Sequence, residues 1–129
     1  MKILLDTNFI ISCINNKIDF ITVAESLTDN KVEWLVPQQV LNELGNLKDR
    51  KGMKTKDKAA AELSFELLQS TNPEIIDLGK GREIRNVDIA IVNYILGKDI
   101  TLATLDRNLK KRINNKILTI RGKNNLEII

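Results

Sequence analysis

The chain predicts an α/β fold: a three-layer α/β/α sandwich around a mainly parallel central sheet, in a single domain over residues 1–129. Three observations predict it. Short apolar runs alternate along the chain with segments of helical period, the pattern of a parallel sheet covered by helices. The run Ile-Thr-Leu-Ala-Thr-Leu at 100–105 is almost continuously apolar, as a central parallel strand must be when both its faces are covered. Two aspartates, Asp6 and Asp106, each close such a run, and open α/β sheets place their chemistry at strand carboxyl ends.

Residues 2–5 read as the first strand. Thr7 or Asn8 then caps a helix reaching about Asn16. A short helix is expected over 20–27, ending in the polar turn Thr28-Asp29-Asn30. A strand follows over 32–36, and Pro37 suits the first turn of a helix running to about Leu47. Residues 48–55 are charged and contain Gly52, which reads as a loop or hinge before a helix at 56–69. Asn72-Pro73 ends that helix. A short strand over 75–78 leads into the polar loop 79–85. Asn86 caps an unusually apolar helix at 87–96, which Gly97 closes. After the strand at 100–105 come a short helix at 109–113, a strand at 117–120 and a terminal edge strand at 126–129.

Composition narrows the chemistry. Hydrophobic residues are 43% and charged residues 29% of 129, enough for one domain with a core. There is no histidine, which removes the usual general base, His-bearing triads and mixed His/Cys zinc sites. The single Cys13 lies in the apolar run FIISCI and reads as a buried, inert thiol. No apolar run approaches the ~20 residues of a membrane span, and the start lacks a signal-peptide cleavage region, so a cytoplasmic protein is expected.

Four carboxylates stand in apolar surroundings: Asp6 in ILLDTN, Glu43 in VLNEL, Asp88 in NVDIAI and Asp106 in LATLDRN. Each has a plain structural explanation. Asp6 and Asp106 could be helix N-caps, and Glu43 could reach out to solvent. Asp88 could simply favour the positive end of its helix. At about 100° per residue, however, Asp88 falls between Val92 and Ile95, within the apolar arc, and Glu43 falls beside the stripe of Val40, Leu44 and Leu47. A buried carboxylate is costly unless it is hydrogen-bonded, paired or on a metal. Four of them without histidine suggest an all-oxygen site for Mg²⁺ or Mn²⁺. Such a site attracts phosphate and activates water for phosphodiester hydrolysis. Thr104 could orient a ligand through its hydroxyl, and Asn108 could add a carbonyl oxygen or position a water.

Taken together, Leu-Leu-Asp-Thr-Asn at 4–8, Glu43 in VLNEL, Asn-Val-Asp-Ile-Ala-Ile at 86–91 and Thr-x-Asp-Arg-x-Leu at 104–109 resemble the PIN-domain ribonucleases over essentially the whole chain. The resemblance implies that Asp6, Glu43, Asp88 and Asp106 bind one or two Mg²⁺ or Mn²⁺ ions, supported by Thr7, Asn8, Thr104 and Asn108. It also implies hydrolysis of RNA to 5′-phosphate and 3′-hydroxyl ends. Some relatives carry a further aspartate straight after the third acid or two positions after the fourth. Here those positions are Ile89 and Asn108, which leaves fewer charges for a second ion. Two roles fit the family: a VapC-type toxin held by an antitoxin, and a ribosomal-RNA-processing nuclease with a ribosome-assembly partner. A homodimer is implied as well, with FIISCI and FITVA supplying either an interface or core.

Net charge is +3, but the cations are clustered. Lys48, Arg50, Lys51, Lys54, Lys56 and Lys58 crowd one stretch. Arg107, Lys110, Lys111, Arg112, Lys116, Arg121 and Lys123 fill another that has no acid from 107 to 126. Clustered cations are the footprint of a polyanion binder. Lys48, Arg50, Lys51, Arg107, Lys110, Lys111 and Arg112 are the expected RNA contacts. Aromatics are 4%, too few for a base-stacking platform. A non-catalytic binding domain is the competing reading, and the presence of all four acids argues against it. A receiver-like domain would want a pair of acids after the first strand and is rejected. Gly79-Lys80-Gly81-Arg82 lacks the spacing of a phosphate loop and reads as a turn.

Overall fold

The computed structural model describes residues 1–29, 31–49 and 55–129. Its elements, in chain order, are β1 (Lys2–Leu5), α1 (Thr7–Asn15), α2 (Phe20–Leu27), β2 (Glu33–Pro37), α3 (Gln38–Asp49), α4 (Thr55–Thr71), β3 (Glu74–Ile76), α5 (Val87–Ile95), β4 (Ile100–Ala103), α6 (Arg107–Arg112), β5 (Ile117–Arg121) and β6 (Asn125–Ile128). The strands form one sheet in the order β3-β2-β1-β4-β5-β6. All neighbours are parallel except β6, which returns antiparallel on β5 as an edge.

Alternation along the strands divides the core in two, as the period of two requires. Ile3 and Leu5 of β1, Trp34 and Val36 of β2 and Ala103 of β4 face a cluster with Phe9, Ile10 and Cys13 of α1, Phe20 and Ala24 of α2, Val40 and Leu44 of α3 and Leu68 of α4. Leu4, Leu35, Ile76, Ile100 and Leu102 face the other way, onto Ile91 and Ile95 of α5 and Leu109 of α6. Four helices thus cover one face and two the other, the three-layer sandwich the sequence predicts. Each fully buried Leu, Ile or Phe stabilises this arrangement by roughly 1.5–3 kcal/mol. Phe20 anchors the larger cluster, meeting both Phe9 and Trp34 edge to face at 5.8 Å.

FIISCI and FITVA bury Phe9, Ile10, Cys13, Phe20 and Ala24 completely inside the protein's own core. Those side chains are core; Ile11, Ile14, Ile21 and Val23 pack against them half-buried. The Cys13 thiol is pushed up to about 12 by burial, which makes it unreactive as expected.

Beyond shifts of one or two residues at element ends, three assignments differ from the sequence reading. Pro37 closes β2, in register with Ile76 of β3, and does not open α3. Lys48, placed in a loop, belongs to the last turn of α3, whereas most of the stretch read as a hinge lies outside the described residues. The cap of α1 is Asp6, not Thr7 or Asn8: Asp6 is extended at φ −93° and ψ 148°, and its side chain accepts from the Thr7 N–H. Among the described residues no helix is long and apolar enough to cross a membrane.

Candidate active site

The β1–β4 pairing builds the centre of the site. Leu5 lies in register with Ala103, and the ladder continues one step as the Asp6 N–H donates to the Ala103 carbonyl at 3.1 Å. Thr104 likewise extends β4 by donating its N–H to Leu118 of β5 at 3.2 Å. Both chains then leave the sheet into helices. The two strand tips are therefore adjacent, and the Thr104 Oγ1 donates to Asp6 Oδ2 at 2.9 Å. This is where strand order turns from β2 on one side of β1 to β4 on the other, the crevice in which open α/β sheets carry their ligands.

Asp6 is 7% exposed, and Thr7 and Thr104 are buried with it. Its carboxyl accepts from Thr7 N–H at 2.9 Å and from the Thr104 hydroxyl, neither of them a cation. Burial raises its pKa from 3.8 to about 6; the Thr104 hydrogen bond opposes this, the charge of Asp88 adds to it, the Thr7 N–H opposes it and the charge of Glu43 adds again. Asp88 and Glu43 thus act on Asp6 although one is on α5 and the other on α3. Asp88 is half-buried on the same side of α5 as Ile91 and Ile95, and Glu43 is half-buried next to the buried Leu44. Asn86 caps α5 through the Ile89 N–H at 3.1 Å, which leaves Asp88 free of that duty.

Asp106 reaches the site through Thr104. Its N–H donates to Thr104 Oγ1 at 3.1 Å, so one hydroxyl joins the backbone of Asp106 to the carboxylate of Asp6. The N-cap role foreseen for it is realised: Asp106 accepts from Asn108 N–H at 2.8 Å and Leu109 N–H at 3.3 Å. Both bonds fall on Oδ1, and Oδ2 accepts none from the described residues. Asn8 and Asn108 are exposed.

Among the described residues no three acids stand close enough to cage an ion as placed. The donor set nevertheless fits a hard divalent cation. It is all oxygen, it puts two carboxylate charges onto a third that, among the described residues, is buried without a cation, and it includes Thr7 Oγ1, buried with no hydrogen-bond partner there either.

The expected RNA contacts that the structure describes stand in different settings. Arg50 and Lys51 lie outside the described residues. Lys48 is exposed, with its ammonium 5.5 Å from the Phe65 ring centre. Lys110 is half-buried and donates to Thr119 Oγ1 of β5 at 3.0 Å. Arg112 lines a concavity with Ile100 and Lys116, at the amino-terminal edge of β4 and β5, the end opposite Asp106. Arg107 and Lys111 are exposed on α6.

Sequence reasoning passed over one cluster at the acid-bearing edge. Gln39, one helical turn before Glu43, donates from Nε2 to Asp77 Oδ1 at 3.1 Å and accepts from Leu78 N–H at 3.3 Å. Asp77 also accepts from Gly79 N–H at 3.0 Å and Gly81 N–H at 2.7 Å. These bonds hold its carboxyl below the usual range, the Gln39 amide contributing most. The signal was legible in Asp77-Leu78-Gly79, an Asp two residues before a Gly, as in an Asx turn.

A mainly parallel sheet covered by helices on both faces, with Asp6 at its crevice, is the architecture of a PIN domain, and the chain belongs to that family: the family described as "PIN like domain" matches residues 3–123. A curated relative, Ribonuclease VapC4 of Methanocaldococcus jannaschii, is 30% identical over 131 residues, covering 98% of this chain and 95% of that protein. Among solved structures, the PIN domain endonuclease Utp24 matches with TM-score 0.77 at 22% identity, over 98% of this chain and 90% of that one. The Rickettsia felis VapBC2 structure, bound to a promoter DNA fragment, matches with TM-score 0.62 at 23% identity, over 92% and 98%.

Proposed function

We propose that the protein is a metal-dependent endoribonuclease, the toxin of a toxin–antitoxin pair. The observation that carries the chemistry is Asp6, a buried carboxylate pressed by the charges of Asp88 and Glu43 with no cation among its partners in the described residues. Such an arrangement calls for a divalent ion. The full-length likeness to a protein named Ribonuclease VapC4 supports RNA as substrate and the toxin role, with an antitoxin as partner. The acid-free stretch from Arg107 to Leu126 favours a second reading, ribosomal-RNA processing.

In this reading Asp6, Glu43, Asp88 and Asp106 hold one or two Mg²⁺ or Mn²⁺ ions. A bound ion supplies a water of lowered pKa and neutralises charge gathering on the phosphate. The protein's own part is orientation. Thr104 and the Thr7 N–H fix both oxygens of Asp6. The cap bonds fix Asp106 while leaving Oδ2 open. Thr7 Oγ1 supplies a further oxygen, and Asn8 and Asn108 stand at the exposed rim. Arg107 and Lys111, which follow Asp106 on α6, hold the RNA backbone, with Lys48, Arg50 and Lys51 as further contacts from the other basic stretch of the sequence and Lys110 and Arg112 adding longer-range attraction.

The test is cleavage of a panel of structured and single-stranded RNAs with Mg²⁺ or Mn²⁺, comparing wild type, Asp6→Asn and wild type with EDTA. Metal-dependent cutting lost in the variant is expected. No cutting together with no Mn²⁺ binding would replace the nuclease by a binding module.

A further inference from the structure

We propose that the loop from Leu78 to Arg85, clamped by Gln39 and Asp77, is a basic lip that grips the RNA backbone at the carboxylate site. The inference rests on the ribonuclease reading above and assigns its substrate a contact surface outside the α3 and α6 cations.

Position comes first. The loop leaves the carboxyl end of β3 and delivers the chain to α5, where Asp88 acts on Asp6. Arg85 is three residues before Asp88 and next to the capping Asn86. Lys80, Arg82 and Arg85 are all exposed, and Glu83 is the only acid between Leu78 and Arg85. On α6, by contrast, Lys110 is engaged by Thr119 and Arg112 lies toward the far edge of the sheet. The loop therefore holds three exposed cations at the end where the acids are.

The loop is also built. Four hydrogen bonds tie Gln39 and Asp77 to each other and to the N–H groups of Leu78, Gly79 and Gly81. Two more turns close it, Lys80 N–H to the Asp77 carbonyl at 3.2 Å and Arg82 N–H to the Gly79 carbonyl at 3.0 Å. A Cβ on Gly79 would run into the Arg82 carbonyl oxygen, so this path requires glycine there. Gly81 supplies a left-handed φ of +88°. Ordering the backbone beforehand lowers the entropy lost when its cations close on phosphates. Because Gln39 and Glu43 are one turn apart on α3, the clamp also sets the lip against the helix that carries the second acid.

The test compares wild type, the triple variant Lys80→Ala/Arg82→Ala/Arg85→Ala and a control, Lys2→Ala/Lys31→Ala, drawn from exposed cations away from the lip. Affinity for a labelled single-stranded RNA is measured by anisotropy in EDTA across a salt series. Cleavage and Mn²⁺ binding are measured in parallel. Each phosphate contact on single-stranded RNA adds about 0.7 to the salt slope. The triple variant should lose about tenfold or more in affinity and about 2 in slope, with raised KM, little change in kcat and wild-type Mn²⁺ affinity. The control should bind close to wild type. Unchanged affinity and slope in the triple variant of an enzyme that cuts would overturn the lip and leave the nuclease. Loss of affinity in a protein that neither cuts nor binds Mn²⁺ would keep the lip and remove the nuclease. Wild type without measurable RNA affinity would overturn the lip.

Discussion

Thr104 Oγ1 donates to Asp6 Oδ2 at 2.9 Å although 98 positions separate the two residues. The same oxygen accepts from the Asp106 N–H at 3.1 Å. One buried hydroxyl thus joins two of the four candidate acids. It does so because β1 and β4 are parallel neighbours whose last paired residues are Leu5 and Ala103.

Thr104→Val removes that hydroxyl at nearly constant shape. It strands the Asp106 N–H and takes from Asp6 its strongest pKa-lowering partner. Stability should fall by about 1–3 kcal/mol, and Mn²⁺ affinity by roughly 10–100-fold. Thr104→Ser should restore most of both. Mn²⁺ titration followed by electron paramagnetic resonance, with thermal unfolding alongside, checks this; a Val variant with wild-type affinity would separate Thr104 from the site.

Asp6 makes the metal-free protein sensitive to pH. Its folded pKa, about 6, is above the ordinary 3.8, so the folded state holds the proton more tightly than the unfolded chain. Stability is then lost as pH rises from about 4 through 6, by about 2–3 kcal/mol in total. Asp6→Asn keeps an acceptor for the Thr7 N–H, and the Thr104 hydroxyl can turn to accept from the new amide. The variant should be more stable than wild type at pH 7 without metal, by about 1–2 kcal/mol, while losing Mn²⁺ binding and cleavage. Denaturant unfolding in EDTA at pH 4.5 and 7 reads the effect. A variant less stable than wild type at both pH values would show that the hydrogen bonds, not the desolvated charge, dominate at Asp6.

How far the sequence revealed this follows from what each feature depends on. The layers and strand positions came from short, nearly continuous apolar runs set between helical segments, because strands covered on both faces carry apolar residues at successive positions. The strand-end acids came from the break that Asp6 and Asp106 make in apolar runs. The cap of α1 was misplaced because Asp6, Thr7 and Asn8 are all good capping residues; only the path of the chain out of β1 decides among them. Pro37 was misplaced because its missing N–H suits the last residue of β2 as well as a first helical turn. The Gln39–Asp77 clamp joins residues 38 apart through side-chain geometry, and no periodicity announces it. The α6 cations looked like one cluster because sequence proximity cannot show that Lys110 is tied to β5 while Arg112 lies toward the other edge.

Asp106 combines two duties that substitution can separate. Asparagine caps helices about as well as aspartate, so Asp106→Asn should keep α6 and change stability by less than about 0.5 kcal/mol. It should nevertheless lower Mn²⁺ affinity and cleavage, because the carboxylate charge is gone while Oδ1 still accepts from Asn108 and Leu109 N–H. Asp106→Ala should lose both, with about 1 kcal/mol of stability. Equal activity in the asparagine variant and wild type would leave Asp106 as a cap alone.

Asn115 offers the opposite case, a polar residue that acts on stability and not on the site. Its Nδ2 donates to the carbonyls of Ile95 at 3.2 Å, Lys98 at 3.0 Å and Ile100 at 2.9 Å. These three lie at the end of α5, in the turn after it and at the start of β4, so one amide ties the turn that returns the chain to the central strands. Asn115→Ala leaves these carbonyls without that donor in a half-buried setting and should destabilise by about 1–3 kcal/mol. Asn115→Asp should be worse, because a carboxylate would face three acceptors. Since Asn115 precedes β5 at the edge opposite Asp6, Mn²⁺ affinity of the folded alanine variant should match wild type. Unfolding midpoints and Mn²⁺ titration on the same sample distinguish the two effects; a parallel loss of metal affinity would mean that strain at the amino-terminal edge is transmitted along β4 to Thr104.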